Sequence, residues 1–133
     1  MRRLLLVMLV VRCAVSAGDA EPTGLACIEH LDVPKYIPLA RMAGLDGVVR
    51  LHVTGAEPKW TVLEAKPKLF ESAGRQVGTT IRLKSACHQR SVELIFEFRI
   101  RPNEPTRDRD ERVTFSAPNR IIISTNLGPI NYH

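Results

Sequence analysis

Hydrophobic and polar positions alternate most clearly over residues 91–101. Val92, Leu94, Phe96, Phe98 and Ile100 fall on one side of an extended chain, and Glu93, Glu97, Arg99 and Arg101 on the other. Only Ile95 breaks the pattern. A period of two predicts a strand with one face on a core and the other toward water, as antiparallel sheets allow. The same period recurs over 48–54, where Val49, Leu51 and Val53 alternate with Arg50, His52 and Thr54, and more briefly over 79–84. Gly55 to Pro58 carries turn chemistry, so 59–65 reads as the returning strand of a hairpin over 48–65. A first helix is expected over 34–43, opened by Pro34 and ended by Gly44, with Pro38 limiting its regularity. A second is expected over 68–77, where Leu69, Phe70, Ala73 and Val77 repeat at helical spacing ahead of Gly78. A polar loop over 102–112 then leads to two short strands, 113–115 and 120–125, parted by Ala117-Pro118-Asn119. This order predicts an α+β fold, a two-layer sandwich of an antiparallel sheet with about two helices on one face.

The N-terminus departs from that pattern. Arg2 and Arg3 precede an apolar run from Leu4 to Val11, and Ala14, Ser16 and Ala17 follow. Positive residues, a short apolar stretch and small residues, in that order, describe a secretory signal. The run is too short for a membrane-spanning helix, which needs about 20 apolar residues. Cleavage is expected after Ala17, with Ala20 as the fallback, leaving no stable membrane anchor and a periplasmic or secreted chain. Residues 18–32 then form an N-terminal segment, 33–101 the main domain, 102–112 the loop and 113–133 a C-terminal strand extension.

Processing changes the charge argument. The full chain of 133 residues carries 19 basic and 14 acidic side chains, a net of +5. Arg2, Arg3 and Arg12 leave with the signal, so the balance falls to +2. Nucleic-acid binding shows as a basic stripe or a domain-wide excess; neither survives, and no nucleic-acid partner is expected. Three cysteines become two, Cys27 and Cys87. In an oxidising compartment an even pair fits one bridge, and two buried thiols acting as small hydrophobes is the other reading.

Candidate chemistry is sparse. His30, His52, His88 and His133 show no ligand spacing, so no metal is expected, and no cofactor motif is present. Ser72, Ser85, Ser91, Ser116 and Ser124 lack a nucleophile elbow. Glu93 and Glu97, four apart on one strand face, would stand about 13 Å apart, beyond the reach of a glycosidase pair; ion pairs with Arg99, Arg101 or Lys84 are the expected use. No catalytic set is expected. Trp60, the single tryptophan, is either the buried anchor of its hairpin or an exposed interface aromatic.

The stretch Val33-Pro34-Lys35-Tyr36-Ile37-Pro38-Leu39-Ala40-Arg41-Met42-Ala43, followed by Gly47-Val48-Val49-Arg50-Leu51-His52-Val53, resembles the C-terminal domain of TonB-type proteins. The hairpin to Ala65, a helix carrying Leu69-Phe70, Ala73 and Val77, and the alternating strand from Val92 to Ile100 extend the resemblance over 33–101. Ile37 intervenes between Tyr36 and Pro38, where the family has Tyr next to Pro, and the family's aromatic after the second helix is missing. The resemblance implies a cell-envelope protein that takes up a short extended segment, such as one from an outer-membrane receptor, by strand addition. An open edge offers unpaired N–H and C=O groups to such a guest. The candidate edge is formed by Val113, Thr114 and Phe115 or by Ile121, Ile122 and Ile123; covering an edge is the other reading of either stretch, and the Ile121-Ile122-Ile123 run, apolar on both faces, leans toward coverage or burial. A secreted, disulfide-stabilised structural or inhibitory domain without a transport role is the alternative function.

Overall fold

The computed structural model describes residues 22–101 and 111–126. The export signal expected over 1–17 or 1–20, most of the 102–112 loop and the last seven residues of the extension lie outside them. A 3-10 turn (Gly24–Cys27) leads into β1 (Ile28–His30), and α1 (Pro38–Met42) follows. The hairpin β2 (Gly47–Thr54) and β3 (Lys59–Lys66) comes next. A 3-10 turn (Lys68–Phe70) then runs into α2 (Glu71–Thr80). β4 (Arg82–Leu83), a further 3-10 turn (Ser85–Cys87), β5 (Ser91–Ile100), β6 (Arg112–Ser116) and β7 (Arg120–Thr125) complete the described chain. The main sheet has the order β3-β2-β5-β7-β6, and β1 pairs with β4 in a separate two-stranded sheet. The result is a small α+β sandwich.

Three expectations are corrected. The first helix starts at Pro38, not Pro34: Ile37 precedes a proline and is held extended at φ −66°, ψ 121°, since the α region clashes with the proline ring. The extended stretch over 79–84 shrinks to Arg82–Leu83, because Thr79 and Thr80 continue α2 and donate their hydroxyls to the carbonyls of Gln76 and Val77. The sheet is antiparallel at every pairing but one, since β7 lies parallel to β5. The cause is the order of burial in the last hairpin. Its more apolar strand, with Ile121 and Ile123 fully buried, takes the inner place, and β6 is left outside.

The core lies between the sheet and the helical layer. Val49, Leu51, Val53, Val92, Leu94, Phe96 and Phe98 line its sheet side, and Ala40, Phe70, Ala73 and Val77 cover them. Phe70 and Phe98 stand 4.8 Å apart between ring centres, with the Tyr36 ring edge-on to both. Gly47 makes room for this cluster: a Cβ there would come within 2.3 Å of the Phe70 ring. Buried Cys27 and Cys87 form a disulfide, with Cα atoms 5.7 Å apart. Together with the Lys84 N–H donated to the Cys27 carbonyl at 2.8 Å, it ties the N-terminal segment to the β4–β5 connection. No helix among the described residues is long and apolar enough to cross a membrane.

Candidate functional site

The main sheet ends in two unlike edges. At β3 the register with β2 slips between Arg50 and Leu51, leaving Leu63 as an extra, half-exposed residue. Lys59 and Lys66 close that strand, and Pro67 follows. A bulge, terminal lysines and a proline are the devices by which proteins blunt an edge against pairing. β6 has no bulge and no lysine, and Arg112 is its single charged residue. Its register with β7 runs unbroken from Arg112 opposite Ser124 to Ser116 opposite Arg120. All five of its residues are exposed, and no other strand among the described residues lies beyond it.

Register places the side chains. Phe96, Ile121 and Phe115 lie in one row across the sheet, and Phe98, Ile123 and Val113 in the next. Both rows are on the core face. The helical layer covers them as far as β7 and stops there, so Phe115 is 58% exposed and Val113 40%. Arg112, Thr114 and Ser116 occupy the opposite face. Val113, Thr114 and Phe115 therefore do sit on an edge. Ile121, Ile122 and Ile123 do not: β7 is hydrogen-bonded on both sides, and its apolar side chains make it an inner strand.

The edge is held at both ends. Before it, Glu111 accepts the Tyr36 N–H at 2.6 Å. After it, Pro118 accepts the Leu25 N–H at 2.7 Å, and Asn119 accepts the Ile95 N–H at 2.9 Å while donating its amide to the Glu93 carbonyl at 3.1 Å. Arg41 of α1 donates to the Asn126 carbonyl and side chain at 2.8 and 2.9 Å, which fastens the far end of β7. The pattern of apolar residues gives no sign of these hydrogen bonds, whose partners lie far apart in sequence. The one local clue is Asn119 following a turn proline, where Asn commonly bonds backbone.

The outer sheet face carries ladders of opposite charge. Glu93 pairs with Arg50 of β2, at 2.8 Å from Nε, and Arg50 also reaches Glu64, which Lys66 meets from its own strand. The partners expected for Glu93 on its own strand and at Lys84 are thus replaced by a cross-strand neighbour, as register favours. Glu97, nearly buried, takes both Arg99 and Arg120. The hydrogen bond to Glu93 is the main reason the Arg50 pKa is raised above its ordinary value.

Trp60 is half-buried on β3 and packs on α2 at Gly78, where a Cβ would fall 2.2 Å from the indole. It borders a surface hollow of about 720 Å³ shared with Glu29, His30, Asp32, Thr80 and Arg82. It is a hairpin anchor with one exposed border, far along the sheet from β6. His30 is bonded to Asp32 at 3.2 Å and His88 to the Leu83 carbonyl at 2.9 Å, while His52 lies on the outer face opposite Glu93. Among the described residues no three His, Cys, Asp or Glu side chains group closely enough to hold a metal ion. Comparison with family models, with curated proteins and with solved structures found no match for this chain.

Proposed function

We propose that this is an exported, non-enzymatic domain of the TonB C-terminal kind. It binds an extended segment of a cell-envelope protein by adding it as a strand outside β6. The carrying observation is the unblunted edge itself: five exposed residues in unbroken register, pinned at Glu111 and at Asn119. A pre-ordered edge loses little freedom when a guest docks, so more of the backbone hydrogen bonding remains as affinity. The guest strand has apolar residues beside Val113 and Phe115 and polar ones beside Arg112, Thr114 and Ser116. The disulfide suits an oxidising compartment, and it also favours the second reading, a secreted structural or inhibitory domain whose outer face makes the contact.

Titration of the isotope-labelled protein with peptides tiled across outer-membrane receptors of its source tests this. The expected result is amide shifts confined to residues 112–125, with new protection from exchange on β6. Shifts centred on the charged outer face of β2 and β5 favour the second reading. A flat response across the whole peptide set overturns strand addition.

A further inference from the structure

We infer that the hollow beside Trp60 binds a short, uncharged sugar chain, a role separate from strand addition at β6. The fold builds this hollow where α2 ends, β4 leaves it and β3 begins. Trp60 and Pro58 give the 720 Å³ space apolar surface, and Glu29 and Arg82 give it charge. A second hollow of about 480 Å³ shares Glu29, Pro58 and Arg82 with the first and continues to Glu57 and His88. Each falls within the range of small-molecule sites, about 300–1,000 Å³. Joined at three residues they form a groove, not a single pit, which suits a chain of rings. The wall of the groove is fixed. A two-stranded sheet such as β1 with β4 is marginal by itself, and the Cys27–Cys87 disulfide clamps it before β1 and beyond β4. Asp32 donates its N–H to the Thr80 hydroxyl oxygen at 3.3 Å and pairs with His30 at 3.2 Å, which ties that wall to the end of α2.

Unused polar groups distinguish the groove. On the outer sheet face Glu64, Glu93 and Glu97 are each taken up by arginine or lysine. The side chains of Glu29 and Arg82 have no hydrogen-bond or ion-pair partner among the described residues. Neither has the Trp60 indole N–H, which is not buried. One hollow therefore gathers an acceptor, a fork of donors and a further donor around an aromatic border. Charge selects the ligand: a lone cation would meet Arg82, and a lone anion would meet Glu29, Asp32 and Glu57. A sugar meets neither objection. Its hydroxyls donate to the carboxylate and accept from the guanidinium and the indole, while its C–H surface takes the Trp60 border and Pro58 out of water.

Titration of the purified, isotope-labelled protein with maltotriose, cellotriose and triacetylchitotriose is the test, followed by amide shifts and by the emission of the sole tryptophan. At least one of the three is expected to give saturable changes at millimolar concentration or below. The shifts are expected over residues 28–32, 56–60 and 78–83, with none along β6. Glu29→Ala and Arg82→Ala remove exposed side chains, so each is expected to fold with unchanged melting. Each is expected to weaken binding about tenfold, the loss of one hydrogen bond to a charged group. No saturable change with any trisaccharide overturns the inference, as does binding that both variants keep at full strength, or shifts that fall outside the groove. A response to choline or to glycylglycine in place of the sugars also overturns it and gives the hollow to a cation or a zwitterion. Groove and β6 lie at opposite edges of the main sheet, so the two readings fail separately. Loss of the sugar site leaves strand addition standing, and a β6 that takes up no peptide leaves the sugar site standing.

Discussion

Tyr36 shows how much one side chain holds together here. Its ring packs edge-on against Phe70 and Phe98, its hydroxyl donates to the Leu45 carbonyl at 2.5 Å, and its N–H is taken by Glu111 ahead of β6. Burial, with a smaller contribution from Asp46, raises its pKa well above the ordinary phenol value. A folded-state pKa raised in this way means that the neutral phenol belongs to the fold. The associated stability is complete below the unfolded pKa of about 10 and is lost as pH rises beyond it. Tyr36→Phe gives up the hydroxyl bond, costing about 1 kcal/mol at neutral pH, but it cannot ionise. Urea melts of both proteins at neutral pH and above pH 10 are expected to show the gap between them narrowing under alkaline conditions. A gap that widens would mean that burial is not what holds the phenol neutral.

Between α2 and β3 the closeness of two elements depends on Gly78. Alanine there gains about 1 kcal/mol in helix propensity. Its methyl, however, meets the indole of Trp60 at a separation no real contact shows, and overpacking of that kind costs about 1–3 kcal/mol. The clash wins, so Gly78→Ala is expected to lower the urea midpoint. The emission of the sole tryptophan is expected to move to the red as its ring is pushed outward. At this same scale the chain was readable in parts. β2 and, apart from Ile95, β5 follow from the alternation of a half-buried strand, and β3 follows from the turn chemistry at Gly55 to Pro58. The helix from Glu71 follows from apolar spacing, although Gly78 reads as its end and is in fact a packing contact within it. The start of α1 differs from the expectation because Pro34 and Pro38 are equally acceptable as first residues of a helix, and only the restraint on Ile37 separates them. Which strand of the final hairpin lies inside was not readable from spacing, since a short apolar run suits an edge cover and an inner strand alike.

At the scale of the molecule, the layers are joined by one covalent tie and one unusual strand placement. The disulfide closes a loop of 60 residues, worth about 4 kcal/mol in the chain-entropy account. Replacing Cys27 and Cys87 together by alanine is expected to lower unfolding stability by about that amount, read as a fall in the urea midpoint. Reductant is expected to leave the folded wild type untouched until urea opens it, since both cysteines are buried. A wild type that is reduced at once under native conditions would contradict that burial. The other feature, β7 lying between β5 and β6, separates two demands that most sheets impose on the same residues. Ile121 and Ile123 meet the needs of the interior, and β6 buries no residue of its own. Substitutions along β6 therefore leave the folding free energy nearly untouched, and the chemistry this rim presents is free to drift over generations while the scaffold beneath it stays fixed.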